Sequence, residues 1–490
     1  MTRLGPGALV WAGFDGSEVP GPLLDALADG RVGGLILFAS RGNVRSKAQL
    51  RSLLEEAQAA ARRGGLPPVP VAVDQEGGSV VRVAHRAIFP SAMAIGATGD
   101  AAYAERAARM VAQGLRADGI TVDHAPVCDV NVEPRNPVIG VRAFGDDPVR
   151  VAAFAAAWVR GSEEAGVASS PKHFPGHGAT AYDSHLTTQD VRDDAATLRR
   201  RDIAPFASAI RAGASSVMAA HVRYPALDPD EIATFSRRIL VDLLRGELGF
   251  EGVAITDALD MSGVTLLEMP ERIVARAVVA GVDVVLLDRG LDLQLDASEA
   301  IALGVPPSRI AEAISRAARF RERFGGPAPR EVDDTPARDL AAEIARRSIT
   351  HLGPPLPRLD GPVRVTIMAP RRGSPVEEMP LPPDALELSL RSRFGDRLAF
   401  ERDGREPAGD GTLVVCTESA WHDREQAARA AELVARGGIV CALRSPYDAA
   451  LFPGRPALLT YGDVPASLDA LAAVLAGEAP ARGVLPVHLP

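Results

Sequence analysis

A chain of 490 residues with 47% hydrophobic side chains is too long for one ordinary core and carries enough apolar surface for two. Its formal charge of -9 and isoelectric point near 5.6 disfavour nucleic acid or an anionic membrane as a partner, because either needs clustered Lys and Arg in excess of the acids. A small neutral or polar ligand stays open, and no stretch approaches the ~18 uninterrupted apolar residues of a membrane span.

The opening MTRLGPGALVWAGFDGSEVP meets Gly, Pro and Asp before any apolar run of signal-peptide length, which predicts a cytoplasmic protein. Cys128, Cys416 and Cys441 lack C-x-x-C spacing, so buried thiols are expected and a disulfide framework, zinc site or redox centre is not. Basic residues are almost all Arg, with Lys only at positions 47 and 172.

Eight short β-rich apolar runs, at 8–12, 34–38, 69–73, 119–123, 166–170, 216–220, 252–256 and 282–287, alternate with longer Ala/Leu/Arg stretches of helical period. The alternation predicts parallel strands wrapped by helices, and eight units predict a closed (β/α)8 barrel. The runs are followed by FDGSE, ASRGN, DQEGG, APVCDVN, KHFPGHG, HVRYP, DALDM and DRG. Polar strand exits meeting at one mouth are the plan of barrel enzymes, whereas an open doubly wound sheet gathers its site at one switch point. Solvated turns account for some of these segments but poorly for the recurrence of acids, His and Lys.

Beyond a helix predicted at 308–324 with Ser308 as N-cap, the stretch GGPAPREVDDTPARD reads as a boundary. A helix at 339–349 follows, then strands in VRVTIMAP, TLVVCTES and GIVCALRS with a helix at 423–436 between the last two. The predicted organisation is therefore a catalytic α/β barrel over 1–325, a helix-containing linker over 326–360, and a smaller three-layer α/β sandwich domain over 361–490.

Chemistry concentrates in two places. KHFPGHG at 172–178, followed by Asp183-Ser184-His185, holds three of the nine histidines. His173 and His177 stand four apart as in helical zinc motifs, but Pro175 and Gly176 between them break a helix, so metal binding is disfavoured. Acid/base work fits better: the glycines give hinge freedom, and Asp183 is near enough to orient His185 and raise its pKa. In TDALDM, Asp257 ends an apolar strand at the mouth, where a carboxylate is costly unless it serves chemistry. It is the natural nucleophile, and helix capping suits Asp260 or Ser262 at least as well. Asp74 and Arg82 around DQEGG, and Arg142 in NPVIGVRAFG, are groups able to hydrogen-bond sugar hydroxyls, with surface ion pairing as the plainer alternative.

Taken together, KHFPGHG with the following DSH, and DQEGG, NPVIGVRAFG, AHV at 220–222 and TDALDM in this order and spacing, resemble glycoside hydrolase family 3. The resemblance is to its bacterial β-N-acetylglucosaminidases of peptidoglycan recycling, across residues 6–325, and ARGVLPVHLP resembles the close of that family's second domain. It implies Asp257 as nucleophile, His185 as acid/base with Asp183 as its partner, and Asp74, Arg82, Arg142, Lys172 and His173 as the groups holding N-acetylglucosamine. Two positions depart from the pattern: Ser79, where Arg is common, and His124, where an apolar residue is usual.

A retaining glycosidase needs a carboxylate to attack the anomeric carbon and a proton donor for the leaving oxygen, and here the donor is an imidazole. No cofactor or metal enters the scheme. A neutral imidazole base repels phosphate less than a carboxylate does, so a phosphorylase is the runner-up. A silent sugar-binding barrel should have lost Asp257 or His185, and a family 3 β-glucosidase should lack the GHG and DSH elements.

Overall fold

The computed structural model describes residues 4–181, 189–260, 270–325, 331–369 and 384–490. All eight predicted runs form strands: β1 Val10–Ala12, β2 Gly34–Ile36, β3 Val71–Val73, β4 Val122–Asp123, β5 Ala168–Ser169, β6 Ser216–Ala219, β7 Val253–Ala258 and β8 Val284–Leu287. They pair in parallel in the order β5-β4-β3-β2-β1-β8-β7-β6. The seam between β5 and β6 is drawn together by the segment leaving β5: Met218 N–H donates to the Pro171 carbonyl, and Phe174 N–H to that of Met218. The result is a TIM-type barrel.

Side-chain alternation decides what fills it. On β3, Val71 and Val73 join the outer core against the helices, while Ala72 joins an inner cluster with Trp11, Ile36, Val122, Ala168, Met218, Ile255 and Leu286. Phe320 and Phe324, at the end of the helix Pro307–Phe324, belong to the same inner cluster. Arg321 secures that helix by donating to the Gly33 carbonyl (2.6 Å). Ser308 does not cap the helix, contrary to expectation: Pro307 occupies the first turn, where its fixed φ and missing N–H cost nothing.

The second unit is a six-stranded sheet of β9 Thr350–Leu352, β10 Val363–Ile367, β11 Leu398–Glu401, β12 Thr412–Thr417, β13 Ile439–Ala442 and β14 Ala457–Leu459. The order is β9-β14-β13-β12-β10-β11, parallel except for the β9–β14 edge pair. Val414 and Cys416 pack on one face with helices Ala385–Phe394 and Pro465–Leu475, completing one outer layer. Leu413 and Val415 pack on the other with helix Arg424–Val434.

That second face is shared with the barrel, since Met93, Ala94 and Ala97 of the barrel helix Ala92–Ala97 lie in the same apolar cluster. Ser91 Oγ donates to the Tyr461 carbonyl (2.6 Å), and the C-terminal segment returns to the barrel, with Val484 N–H donating to the Ala97 carbonyl (2.8 Å). Among the described residues no helix is long and apolar enough to cross a membrane.

Candidate active site

Each inner residue of a barrel strand has a successor two positions on that faces the same interior, one layer nearer the mouth. Ala72, Val122 and Ala168 are mutual register partners, so Asp74, His124 and Ser170 form the next layer on that side. Across the barrel, strict alternation is broken by a bulge after Ile255, with Ala258 rejoining the inner cluster, and Asp257 stands at this end of β7 near enough to His124 to act on its charge. Asp257 is half-buried and its Oδ1 accepts from the Ala258 N–H (2.8 Å). Two further bonds fix this strand end: Thr256 Oγ1 accepts from Leu286 N–H (2.9 Å), and the His221 ring bridges Thr234 Oγ1 (2.7 Å) and the Ala258 carbonyl (3.0 Å).

Opposite Asp257 sits a buried network of charges. Lys172 Nζ donates to Asp74 Oδ1 and lies equally close, 2.6 Å, to Glu76 Oε1. Arg142 grips Glu76 with both prongs of its fork, at 2.9 and 2.8 Å, and donates to the Val138 carbonyl (3.0 Å). Arg82 completes the group, 3.4 Å from Asp74 Oδ2. Burial disfavours charge on both acids, yet the cations outweigh it: Lys172 and Arg82 hold Asp74 far below the usual carboxylate range, and Arg142 and Lys172 bring Glu76 down to about 2. In return, Asp74 and Glu76 outweigh the burial of Lys172 and raise its pKa.

Because the Glu76 pKa is depressed on folding, its ionised form stabilises the fold above the ordinary value of 4.5, and that contribution is lost as pH falls through about 2. Glu76→Gln is therefore expected to be less stable at neutral pH, by about 3–5 kcal/mol for breaking one side of a buried pair, with a flatter acid limb. Thermal unfolding followed from pH 7 down to 3 checks this, and acid limbs of equal slope in both proteins would contradict it.

The KHFPGHG segment is organised by a residue that sequence reasoning missed. Asp129 Oδ1 accepts from the backbone N–H of His177 (2.6 Å) and of His173 (3.2 Å), and Asp129 Oδ2 stands 2.7 Å from His173 Nδ1. The carboxylate thus orients the His173 ring and ties both ends of the turn. Its signal was present in APVCDVN, but that the acid faces the following strand's exit is a three-dimensional fact. The His173 and His177 rings meet edge to face at 5.8 Å, so this non-helical turn still brings the two imidazoles together, although the helix break at Pro175 and Gly176 gave no reason to expect it. His177 Nδ1 faces Thr180 Oγ1 (2.9 Å). Asn136 donates to the His177 carbonyl (3.0 Å), and its Oδ1 accepts from Val138 and Ile139 N–H, shaping the loop that delivers Arg142. Among the described residues no three His, Cys, Asp or Glu side chains are grouped to hold a metal.

Asp74, Arg82, Arg142, Lys172 and His173 thus converge at the mouth that carries Asp257. Glu76, not singled out from the sequence, is their hub. Ser79 is buried, and its hydroxyl has no hydrogen-bond partner among the described residues. Asp260 faces Asp288, whose N–H donates to it, and burial with this neighbour pushes its carboxyl up to about 8. Asp183, His185 and Ser262 lie outside the described residues. The second domain braces this mouth: Tyr447 OH accepts from Asn131 Nδ2 (2.9 Å), and Asp146 N–H donates to the Pro486 carbonyl close to the Arg142 loop.

A parallel barrel with acids, His and Lys collected at its carboxyl end defines an α/β-barrel enzyme site. The chain belongs to glycosyl hydrolase family 3, whose N-terminal domain matches residues 22–319. It is similar to a beta-hexosaminidase of Pseudomonas aeruginosa, 39% identical over 57% of this chain and 82% of that protein. It is also similar to beta-hexosaminidase A of Pseudoalteromonas piscicida, at 40% identity over 55% of this chain, but that match spans only 48% of the relative's length. Among solved structures, a glycoside hydrolase family 3 beta-N-acetylglucosaminidase from Paenibacillus sp. superposes with a TM-score of 0.93 at 33% identity, covering 99% of this chain and 98% of the other.

Proposed function

We propose that this protein is a retaining exo-β-N-acetylglucosaminidase that removes terminal β-linked N-acetylglucosamine through a covalent glycosyl-enzyme intermediate. One observation carries the reading: Asp257, at the end of β7, stands across the barrel mouth from a charge-locked cluster of Asp74, Glu76, Lys172 and Arg142. The likeness to the Paenibacillus enzyme over nearly the whole chain supports it.

On this reading Asp257 attacks the anomeric carbon while His185, tuned by Asp183, protonates the departing oxygen. The same imidazole, now a base, draws a proton from water, which releases the sugar with its configuration retained. Asp74, Arg82, Arg142, Lys172 and His173 hold the sugar, and because their charges are already paired, little reorganisation accompanies binding. The substrates in view are cell-wall muropeptide fragments, to which the resemblance of the DSH-containing motif points, or chitin-derived saccharides. The same resemblance goes with action in the cytoplasm.

Product analysis on an aryl N-acetyl-β-glucosaminide, with and without phosphate, tests the activity. Free N-acetylglucosamine is expected in both. N-acetylglucosamine 1-phosphate in the phosphate arm would make the enzyme the phosphorylase that an imidazole base allows, and no aryl release in either arm would sink the reading.

A further inference from the structure

Asp260 is left over from this scheme. It stands three positions beyond Asp257, where the segment leaving β7 runs beside the exit of β8. Leu259 N–H donates to the Leu286 carbonyl (2.9 Å), and Asp288 N–H donates to Asp260 Oδ1 (3.1 Å). Asp260 Oδ2 is sealed from solvent and accepts no hydrogen bond among the described residues. The charged group that bears on it is the Asp288 carboxyl, within hydrogen-bonding reach. Asp288 has a cation of its own: Arg41, at the exit of β2, donates to its carbonyl and stands 2.5 Å from its Oδ2. One proton shared by these two acids therefore belongs on Asp260, where Oδ2–H donates to the Asp288 carboxylate while Oδ1 accepts from the Asp288 N–H. Burial and the same neighbour push the Asp260 carboxyl up to about 8, in keeping with a neutral acid at pH 7.

We propose that Asp260 is a positioning residue: as a neutral acid it clasps Asp288 through both carboxyl oxygens and so holds the exit of β7, with Asp257, against the exit of β8. This rests on the reading of Asp257 as nucleophile. Loss of the Asp260 proton sets two carboxylates against each other with no hydrogen left to bridge them, and the clasp opens. The β7 exit then shifts, and a displacement of about 1 Å in a reacting group can cost on the order of 100-fold in rate.

The test is the pH profile of kcat/KM for an activated aryl N-acetyl-β-glucosaminide in the wild type, Asp260→Asn and Asp260→Ala, with thermal melts to confirm folding. An activated leaving group needs no acid in the first step, so the titration of the acid/base drops out of this profile. For the wild type a fall of roughly tenfold is expected between pH 7 and 9, as one proton is lost with a midpoint of about 8. Asp260→Asn keeps a donor for the Asp288 carboxylate and an acceptor for its N–H at any pH, and should stay within about twofold over the same range. Asp260→Ala keeps neither and should be at least about tenfold below the wild type at pH 7 while still folded. The same alkaline limb in the wild type and Asp260→Asn, no such limb in the wild type, or full activity in Asp260→Ala would overturn the proposal. Infrared difference spectra of the wild type minus Asp260→Asn, both carrying isotope-labelled aspartate, read the proton without turnover. A protonated carboxyl band at pH 7 that fades with a midpoint of about 8 is expected, and its absence would also overturn the proposal. That band without aryl release at any pH would keep the clasp and reject the hydrolase reading.

Discussion

Asp257→Ala is expected to lose turnover by on the order of 10⁴-fold or more, because on the proposed mechanism it removes the carboxylate that forms the covalent intermediate. Its fold should persist. The Asp257 side chain is half-buried and bonds the N–H of its own successor, while the strand end is held independently by Thr256 and His221. Losing the carboxylate therefore leaves both of those strand-end bonds in place. Steady-state rates together with a thermal melt separate the two effects: near-wild-type melting with negligible rate is the expected pair, and substantial activity in the variant would reject Asp257 as nucleophile.

His185→Ala carries the second large effect, and it discriminates between acid/base work and mere binding. A substrate with a poor leaving group should lose most of its rate, since nothing then protonates the departing oxygen, whereas an activated aryl leaving group needs little help in the first step. With the aryl substrate the intermediate should form faster than it breaks down. A burst and a lowered KM are the expected signs, and azide should restore turnover with a β-glycosyl azide as product, because a small anion needs no base. Asp183→Asn should give a milder version with a shifted acid limb, as suits a residue that tunes the imidazole. Equal slowing of both substrates, with neither burst nor azide response, would make His185 a binding residue.

What the sequence made legible was whatever periodicity and strand-exit chemistry encode locally. All eight barrel strands could be placed because each is a short apolar run followed by a polar turn, and the parallel order follows from the intervening helices. In the second domain, β10, β12 and β13 were readable for the same reason, whereas β9, β11 and β14 were not. THL and LAFE are too short to show alternation, and ALL reads equally as helix. The helix predicted at 339–349 begins earlier, at Thr335, because a Pro in the first turn starts a helix as readily as it ends one.

The charged residues that meet at the mouth could be picked out one by one but not as a network. Lys172 and Arg142 could be picked out as cations, yet that both converge on Glu76 depends on β3 and the loops after β4 and β5 meeting at one mouth. Asp129 is the clearest case, since its partners His173 and His177 lie more than forty positions away in sequence. The contribution of the second domain was hidden for a different reason. It supplies packing for the barrel helix Ala92–Ala97 and a bond from Tyr447 to Asn131, and neither carries a motif.

Asp257 should become glycosylated during cleavage of an N-acetylglucosaminide, and trapping that species decides the matter. A fluorinated N-acetylglucosaminyl substrate with a good leaving group, chosen so that breakdown is slower than formation, is incubated with the enzyme, followed by proteolysis and mass mapping. One added sugar per chain is expected, on the peptide containing Asp257, and none on Asp257→Ala. A label on any other residue, or rapid turnover of the parent substrate with inverted configuration at the anomeric carbon, would contradict it.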